Sequence, residues 1–271
     1  MTDALGDRMK AYEARETERR SPPMLPIYAR IDGRGFSKFT RGMGRPFDKA
    51  MSDAMIAATK ALVDETHARI GYTQSDEISL VWLTDDPKSE MLFAGKAQKM
   101  TSVLASYATA AFTRGLLEGP LADYVNRLPH FDARVFQMPS KTEAANAFLW
   151  RELDATKNAI SMAARSVYSH KALHGKSGAD MQEMLFQKGV NFNEYPAFFK
   201  RGTFVRRVTR ERALTADELS RIPEIHRPEV GTLFQRSSVE EIDMPRFGSV
   251  ENREAVIFDG AAPLDHQPKR V

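Results

Sequence analysis

The sequence predicts a mixed α/β or α+β fold, because segments with strand periodicity alternate along the chain with segments of helical periodicity. Ile27–Asp32 alternates apolar and polar side chains, as a half-buried strand does. The segment after Asp48 repeats apolar residues every three or four positions, as an amphipathic helix does. With 271 residues, 42% of them hydrophobic, the chain is long enough to bury a substantial core.

Composition excludes several classes of protein. The chain contains no cysteine, which excludes disulfides, thiolate catalysis and cysteine-bound zinc and is compatible with a cytoplasmic protein. No run of about 18 apolar residues occurs, so we expect no transmembrane helix. The N-terminal segment mixes acidic and basic residues, unlike a secretory signal. A net charge of +3 does not by itself indicate a nucleic-acid partner.

Strands are expected where alternation or apolar runs are bounded by turn residues, and helices where the period is 3.6. The predicted strands are Ile27–Asp32, Ile70–Gln74, Ile78–Leu83 and Phe131–Met138, the middle two forming a hairpin with Ser75-Asp76-Glu77 at its tip. The predicted helices are Leu5–Arg20, a helix from an N-cap at Asp48 to about His67, Glu90–Leu117, Lys141–Val167 and Ala179–Gln187. The inward residues expected on the second and third helices are Met51, Met55, Ala58 and Leu62, then Met100, Val103, Tyr107 and Ala111.

The helix over Lys141–Val167 carries two stripes at three- and four-residue spacing. The stripe expected to face the core comprises Leu149, Leu153, Thr156, Ile160, Ala163 and Val167. The second stripe is polar and comprises Arg151, Asp154, Asn158, Ser161 and Arg165. This polar face is either a solvated surface or the wall of a substrate groove, and periodicity alone favours the solvated surface.

Two isolated carboxylates lie at the ends of predicted strands. Asp32 precedes Gly33, and Asp76 lies in the hairpin tip. A carboxylate followed by an accessible carbonyl suits Mg²⁺, which takes oxygen ligands and shares its coordination with water and phosphates. Two such ions could activate a hydroxyl and neutralise a triphosphate. Strand alternation would place Glu77 on the opposite face, with a secondary role at most.

Basic residues and glycines surround the first carboxylate. Gly33 and Gly35 permit a tight turn and close approach of the backbone to a ligand. The nearby cations are Arg30, Arg34, Lys38, Arg41 and Arg45, and Lys96 and Lys99 share a face of the following helix. Each is individually expected on a solvated surface, but together they favour phosphate binding. Neither a Walker loop nor a dinucleotide fingerprint occurs here.

The region after the long helix is basic and aromatic. His170 and His174 are four residues apart, but their flexible basic surroundings favour a nucleic-acid contact or plain surface over zinc. Six cations lie near Phe198, Phe199 and Phe204, namely Lys200, Arg201, Arg206, Arg207, Arg210 and Arg212. Aromatic and basic residues together are typical of an RNA-binding surface, although a strand with its aromatic side chains in the core would have the same sequence pattern.

These segments together resemble the tRNA-histidine guanylyltransferase family. The matching segments, in order over roughly Asp7–Glu183, are RIDGRGFSKFT, Arg45-Pro46-Phe47-Asp48, GYTQSDEISLVW, GKAQKMTSVLAS, FDARVFQMPS and FLWRELDATKNAISMAA. The resemblance implies an α+β fold with a palm-like sheet of the polymerase and cyclase type, flanked by helices. It also implies a catalytic region over 1–140, and a helical and basic C-terminal region over 141–271 that completes the fold and contacts tRNA.

The resemblance further implies the chemistry: addition of nucleotides to the 5′ end of tRNA in the 3′-to-5′ direction, after ATP activates the 5′ phosphate. Asp32 and Asp76 would be catalytic and, with the Gly33 carbonyl, would bind two Mg²⁺ ions. ATP, GTP or other NTPs would be substrates. The implied nucleotide-binding residues are Arg30, Gly33, Arg34, Gly35, Phe36, Ser37, Arg45, Ser75, Lys96 and Lys99. The RNA-binding candidates are Asn158, Arg165, His170, Lys171, His174, Lys176, Arg206 and Arg207.

Two departures from the eukaryotic pattern indicate a branch of the family. Arg45 and Phe47 stand where the family usually has lysine and asparagine. Thr156-Lys157-Asn158-Ala159 replaces a His-Ile-Asn-Asn motif, and the continuation resembles the bacterial like-proteins, which favour repair of 5′-truncated tRNA. A homotetramer, as a dimer of dimers, follows from the resemblance alone, whereas the cytoplasmic location follows from the absence of cysteine. The alternatives are a cyclase-like palm enzyme that makes cyclic nucleotides and a non-catalytic RNA-binding module.

Overall fold

A computed structural model describes residues 4–86, 88–229 and 231–266. It contains one six-stranded sheet in which every neighbouring pair of strands is antiparallel, in the order β4-β1-β3-β2-β5-β6. The strands are β1 Ile27–Gly33, β2 Ile70–Gln74, β3 Glu77–Trp82, β4 Phe131–Gln137, β5 Thr203–Ala213 and β6 Leu233–Ile242. The helices are α1 Ala4–Thr17, α2 Phe36–Phe39, α3 Lys49–Thr66, α4 Ala97–Leu117, α5 Lys141–Val167, α6 His170–Leu173, α7 Gly178–Gln187, α8 Ala197–Arg201, α9 Ala216–Ser220 and α10 Arg253–Phe258.

The first four strands with α3 and α4 form a βαββαβ unit, the arrangement of ferredoxin-like and palm-type sheets. The α+β class predicted from the sequence is therefore confirmed. One face of the sheet packs on α3 and α4, through a core that includes Ile31, Leu62 and Phe112. The other face packs on α5 and the C-terminal segment, through Tyr28, Phe148 and further apolar residues.

Local signals place the elements around the sheet correctly. The Asp48 side chain caps α3 by accepting a hydrogen bond from the Met51 N–H, and the predicted apolar stripe of α3 is buried. The Ser140 hydroxyl caps α5 by accepting from the Glu143 N–H, and α5 spans the predicted residues. The helix predicted from Glu90 begins instead at Ala97, after a 3-10 turn over Leu92–Gly95.

The core stripe predicted for α5 is wrong in part. Leu153 is 53% exposed and Val167 is 40% exposed, although Ile160 and Ala163 are buried as expected. Small residues are buried instead: those in the first half of α5 pack with Phe148 against the sheet, and those in the second half pack against α7 and α8. The buried positions are Ala144, Ala145, Ala147, Phe148, Arg151, Glu152, Ala155, Ala159, Ile160, Ala163 and Ala164.

The C-terminal part of the chain contributes two strands to the same sheet. β5 pairs with β2 over Gly71–Thr73 only, while ten residues of β5 pair with β6. The division of the chain at residue 140 stays a prediction. No helix in the described part of the chain has the length and apolar character needed to cross a membrane.

Candidate active site

Two carboxylates meet at one end of the sheet because their strands are neighbours. Asp32 and Gly33 end β1, and Ser75 and Asp76 form the turn between β2 and β3. The Gly33 N–H donates a 2.9 Å hydrogen bond to the Asp76 carbonyl, which ties the end of β1 to the turn. Asp32 and Asp76 therefore belong to one site, as their positions at strand ends predicted.

The turn that carries Asp76 is conformationally unusual. Ser75 has a φ of 52°, in the left-handed region that non-glycine residues seldom occupy. Burial raises the pKa of Asp76, and the nearby Asp32 carboxylate raises it further, while the Ser75 side chain opposes the shift. Two carboxylates this close disfavour each other's charge, and a divalent cation between them would offset that cost.

Gly33 is required by the packing of the turn that follows β1. A Cβ added there would lie 2.4 Å from a ring carbon of Phe36. That ring is buried and packs on Phe39, Phe112 and Phe131 with centroid distances of 4.8 to 5.6 Å. A side chain at this position would therefore displace the Phe36 ring or the end of β1 that carries Asp32.

The prediction that Glu77 faces away from the site is wrong. Because Asp76 lies in the turn, alternation begins at Glu77, which pairs directly with Asp32 and points to the same face. The Glu77 carboxylate accepts a 2.6 Å hydrogen bond from Arg151 Nε and lies 4.0 Å from Arg30 Nε. Burial raises the pKa of Glu77, and the bond and charge of Arg151 act against that rise. Arg151 also binds Asp154 at 2.9 Å, so a buried ionic network supports the carboxylate turn.

Two adjoining clefts open beside the carboxylates. The smaller, of about 340 Å³, is lined by Asp32, Gln74, Ser75, Asp76, Glu77, Arg151, Asn158, Ser161, Met162 and Arg165. The larger, of about 690 Å³, shares the β2–β3 turn with it and extends between α2, the start of α3 and α8. The larger cleft has an aromatic wall, where Phe47 packs on Phe198 and Phe199 at centroid distances of 5.2 and 4.8 Å.

The predicted nucleotide-binding residues fall into three groups. Phe36, Ser37, Arg45 and Ser75 line the larger cleft. Arg30, Gly33, Arg34 and Gly35 lie on β1 or in the turn after it, next to the carboxylates. Lys96 and Lys99 line neither cleft: Lys96 Nζ binds Glu18 Oε1 at 2.6 Å, and Lys99 Nζ lies 5.0 Å from the Phe93 ring centroid.

The predicted RNA-binding residues are also divided. Asn158 and Arg165 line the smaller cleft, so the polar face of α5 forms a groove wall. His170, Lys171, His174 and Lys176 are exposed at α6 and just after it. Arg206 donates to the Ala261 carbonyl at 2.7 Å, and Arg207 binds the Asp64 carboxylate at 2.6 Å, so both hold parts of this chain together.

Two features of the site were missed in the sequence. The sequence predicts Arg151 on the polar face of its helix but not beside the carboxylates, although its spacing from Asn158 and Arg165 is a signal for that position. The sequence predicts Phe198 and Phe199 at an RNA surface, whereas they form the wall of the larger cleft with Phe47. That contact joins segments distant in the sequence, and periodicity does not reveal it.

Comparisons with known proteins agree with this geometry. The family model described as tRNAHis guanylyltransferase matches residues 6–139. The chain is 32% identical over 203 residues to the tRNA(His) guanylyltransferase of Neurospora crassa, covering 68% of this chain and 67% of that protein. It is 30% identical over 212 residues to the Schizosaccharomyces pombe tRNA(His) guanylyltransferase, covering 72% of this chain and 77% of that protein.

Solved structures extend the similarity over nearly the whole chain. A bacterial tRNA(His) guanylyltransferase (Thg1)-like protein in complex with ATP has a TM-score of 0.76 and 32% identity, covering 93% of this chain and 97% of that one. A bacterial (Thg1)-like protein in complex with GTP has a TM-score of 0.71 and 31% identity, covering 94% and 97%. The Saccharomyces cerevisiae tRNA(His) guanylyltransferase has a TM-score of 0.59 and 25% identity, covering 70% of this chain and 90% of that one.

The sheet, the paired carboxylates and these relatives define a nucleotidyltransferase. The chain belongs to the tRNA-histidine guanylyltransferase family.

Proposed function

We propose that this chain is a Mg²⁺-dependent enzyme that adds nucleotides to the 5′ end of tRNA in the 3′-to-5′ direction, after ATP activates the 5′ phosphate. The observation that carries this proposal is the convergence of Asp32 and Asp76 where the two clefts meet. A reaction between two large substrates needs such an arrangement, with one substrate in each cleft and the reacting atoms at the carboxylates.

The donor set fits Mg²⁺. Asp32, Asp76 and the Gly33 carbonyl supply oxygen atoms, which this ion prefers. Among the residues that the structure describes, no group of three or more His, Cys, Asp or Glu side chains is placed to hold a metal ion. Two carboxylates suit an ion that takes its remaining ligands from water and substrate phosphates. When bound, Mg²⁺ would neutralise the pyrophosphate that leaves ATP as the RNA 5′ phosphate is adenylylated, and would activate the NTP 3′-hydroxyl that then displaces AMP.

The larger cleft suits the nucleotide. Its aromatic wall offers a stacking surface for a base, and Arg41, Arg45 and Arg165 supply cations for a triphosphate. The ATP and GTP complexes of the bacterial like-proteins support NTPs as the substrates here. Phosphate contacts by Lys96 and Lys99 stay a prediction from the family resemblance.

The smaller cleft suits the 5′ end of the RNA. The polar side chains of Arg151, Asn158, Ser161 and Arg165 face the carboxylates across it and can bind phosphate or ribose. The Thr156–Ala159 segment and the similarity to bacterial like-proteins favour repair of 5′-truncated tRNAs over guanylylation specific to tRNA-histidine. We place this activity in the cytoplasm.

A homotetramer belongs to the same proposal. Leu5, Met9 and Tyr12 on α1 are 59%, 46% and 51% exposed, and an apolar stripe of this kind supports assembly with further copies. Sedimentation of a 30.5 kDa species alone would contradict it.

Single-turnover assays with 5′-radiolabelled tRNAs test the reaction. We expect Asp32→Ala and Asp76→Ala each to slow nucleotide addition by at least about a thousandfold, while tRNA binding persists. Asp53→Ala, which removes an exposed aspartate paired with Lys49, is the matched control and should leave the rate unchanged.

Comparing 5′-truncated tRNAs with full-length tRNA-histidine, with each NTP supplied alone, separates repair from guanylylation. GTP without RNA tests the cyclase alternative, because a cyclic product would support it. Addition that survives in both carboxylate variants would overturn the assignment of Asp32 and Asp76.

A further inference from the structure

Side chains of three neighbouring strands form ordered rows on the face of the sheet next to α5. Strands β4, β1 and β3 pair in register, so directly opposite residues share a face. Two residues further along a strand, the next row lies about 7 Å away. The rows, starting at the carboxylates, are Asp132–Asp32–Glu77, Arg134–Arg30–Ser79 and Phe136–Tyr28–Val81.

The second row places two arginines side by side. Arg30 and Arg134 are direct cross-strand partners, and like charges in this position destabilise a sheet. In ion pairs among the described residues, Arg134 lies 3.5 Å from the exposed Asp132 and Arg30 lies 4.0 Å from Glu77. Within the described ranges, neither guanidinium donates a hydrogen bond to this chain, and Arg30 Nε is buried without a hydrogen-bond partner. A phosphate lying on the pair would offset their repulsion and use their planar donors.

An exposed tryptophan lies against the same arginine. Trp150 on α5 is 51% exposed, and the guanidinium carbons of Arg30 and Arg151 lie 5.5 and 4.4 Å from its ring centroid. The chain has one other tryptophan, Trp82, which is 4% exposed. A half-exposed indole with two cations beside it is the kind of surface on which nucleobases stack.

The geometry points to a subsite for the 5′-terminal nucleotide of the RNA, with its base on Trp150 and the phosphate after the reacting one on Arg30 and Arg134. The row spacing supports this assignment, because the arginine row lies about 7 Å from the Asp32 row, roughly one nucleotide along a chain. A free NTP has the larger cleft for its base, whereas an RNA end presents a base and a further phosphate together. The inference rests on the proposed function. In this subsite Arg30 binds a phosphate of the RNA rather than a phosphate of the incoming nucleotide.

Tryptophan fluorescence provides a direct readout, because Trp82 is buried. We expect a 5′-phosphorylated acceptor-stem hairpin to quench the emission of the wild type and of Trp82→Phe. The same hairpin should leave the emission of Trp150→Phe unchanged. Saturating GTP with Mg²⁺, excited at a wavelength where guanine does not absorb, should quench little. Quenching by GTP and not by the hairpin would overturn the subsite.

Steady-state kinetics tests the energetics. We expect Trp150→Ala to raise the KM for the hairpin about tenfold, with Trp150→Phe retaining most of the affinity. Arg134→Gln should raise the KM for the hairpin about fivefold. It should also lower the slope of log binding constant against log salt concentration by about one. The KM for NTP should stay within about twofold in these variants. Phe186→Ala and Arg221→Gln remove an exposed aromatic side chain and an exposed arginine elsewhere, and should change neither KM.

Every other outcome counts against the subsite. An NTP KM that rises alone would assign the surface to the incoming base, and a changed sedimentation coefficient in Trp150→Ala would assign it to contacts between copies. Unchanged RNA binding would leave Trp150 as a surface side chain. The proposed function fails separately, through retained addition in Asp32→Ala and Asp76→Ala.

Discussion

Arg151→Met should destabilise the protein, because it removes the partner of a buried carboxylate. The Arg151 and Glu77 side chains are 9% and 11% exposed and joined at 2.6 Å. Removing one member of a buried pair costs about 3–5 kcal/mol, since the other charge stays buried. Arg30 remains 4.0 Å from Glu77 and can compensate in part, so we expect about 3 kcal/mol. At roughly 2–4 °C per kcal/mol, the melting temperature should fall by about 6–12 °C.

A double-mutant cycle shows whether the loss comes from this pair. Glu77→Gln keeps an oxygen acceptor for Arg151 and should cost less, about 1–2 kcal/mol. The double variant Glu77→Gln/Arg151→Met should lose less free energy of unfolding than the two single variants lose together, by at least about 1 kcal/mol. Urea unfolding in EDTA, followed by circular dichroism, measures all four proteins. Arg221→Met, which breaks an exposed pair, is the control and should cost nothing measurable. A loss under about 1 kcal/mol for Arg151→Met, or additive losses, would refute the reasoning.

Two further predictions concern stability and the turn after β1. Burial raises the pKa of Glu152, so above that pKa the buried charge of this group opposes folding. The free energy of unfolding of the wild type should therefore rise as the pH falls toward about 4, the pKa of an unfolded glutamate. Glu152→Gln should therefore melt above the wild type at pH 7, with the difference disappearing near pH 4; a difference that does not vary with pH would contradict this. Gly33→Ala should cost about 1–3 kcal/mol and slow nucleotide addition, because its Cβ would meet the Phe36 ring. Gly248→Ala, with 3.5 Å to its nearest atom, should be near neutral, and equal melting temperatures for the two variants would refute the steric argument.

Local signals were enough to predict the elements that hold the carboxylates. Alternation predicts β1, apolar runs bounded by turn residues predict the hairpin, and the cap at Asp48 predicts the start of α3. Each of these features depends on residues within one or two turns of chain. The proximity of Asp32 and Asp76 followed because both lie at strand ends.

The remaining features depend on contacts between distant segments. On α5 the spacing predicts a stripe that includes Leu153, but Leu153 is exposed. Alanines are buried instead, against the sheet in the first half of the helix and against α7 and α8 in the second half. The pairing of β5 with β2 and of β6 with β5 has no local signal. For the same reason Arg151 was recognised as polar but not as the partner of Glu77.

The pairing of β5 with β2 has a consequence for the order in which the molecule is completed during synthesis. The Tyr72 hydroxyl donates to the Arg201 carbonyl, 129 residues later in the chain. Strands β1 to β4 and both carboxylates are synthesised before α5, α8 and β5. The nascent chain therefore carries the carboxylate turn before it has the α5 wall of the smaller cleft or the α8 wall of the larger one. Closing so long a loop is slow relative to local pairing, so nucleotide-binding competence should appear only after translation passes β5.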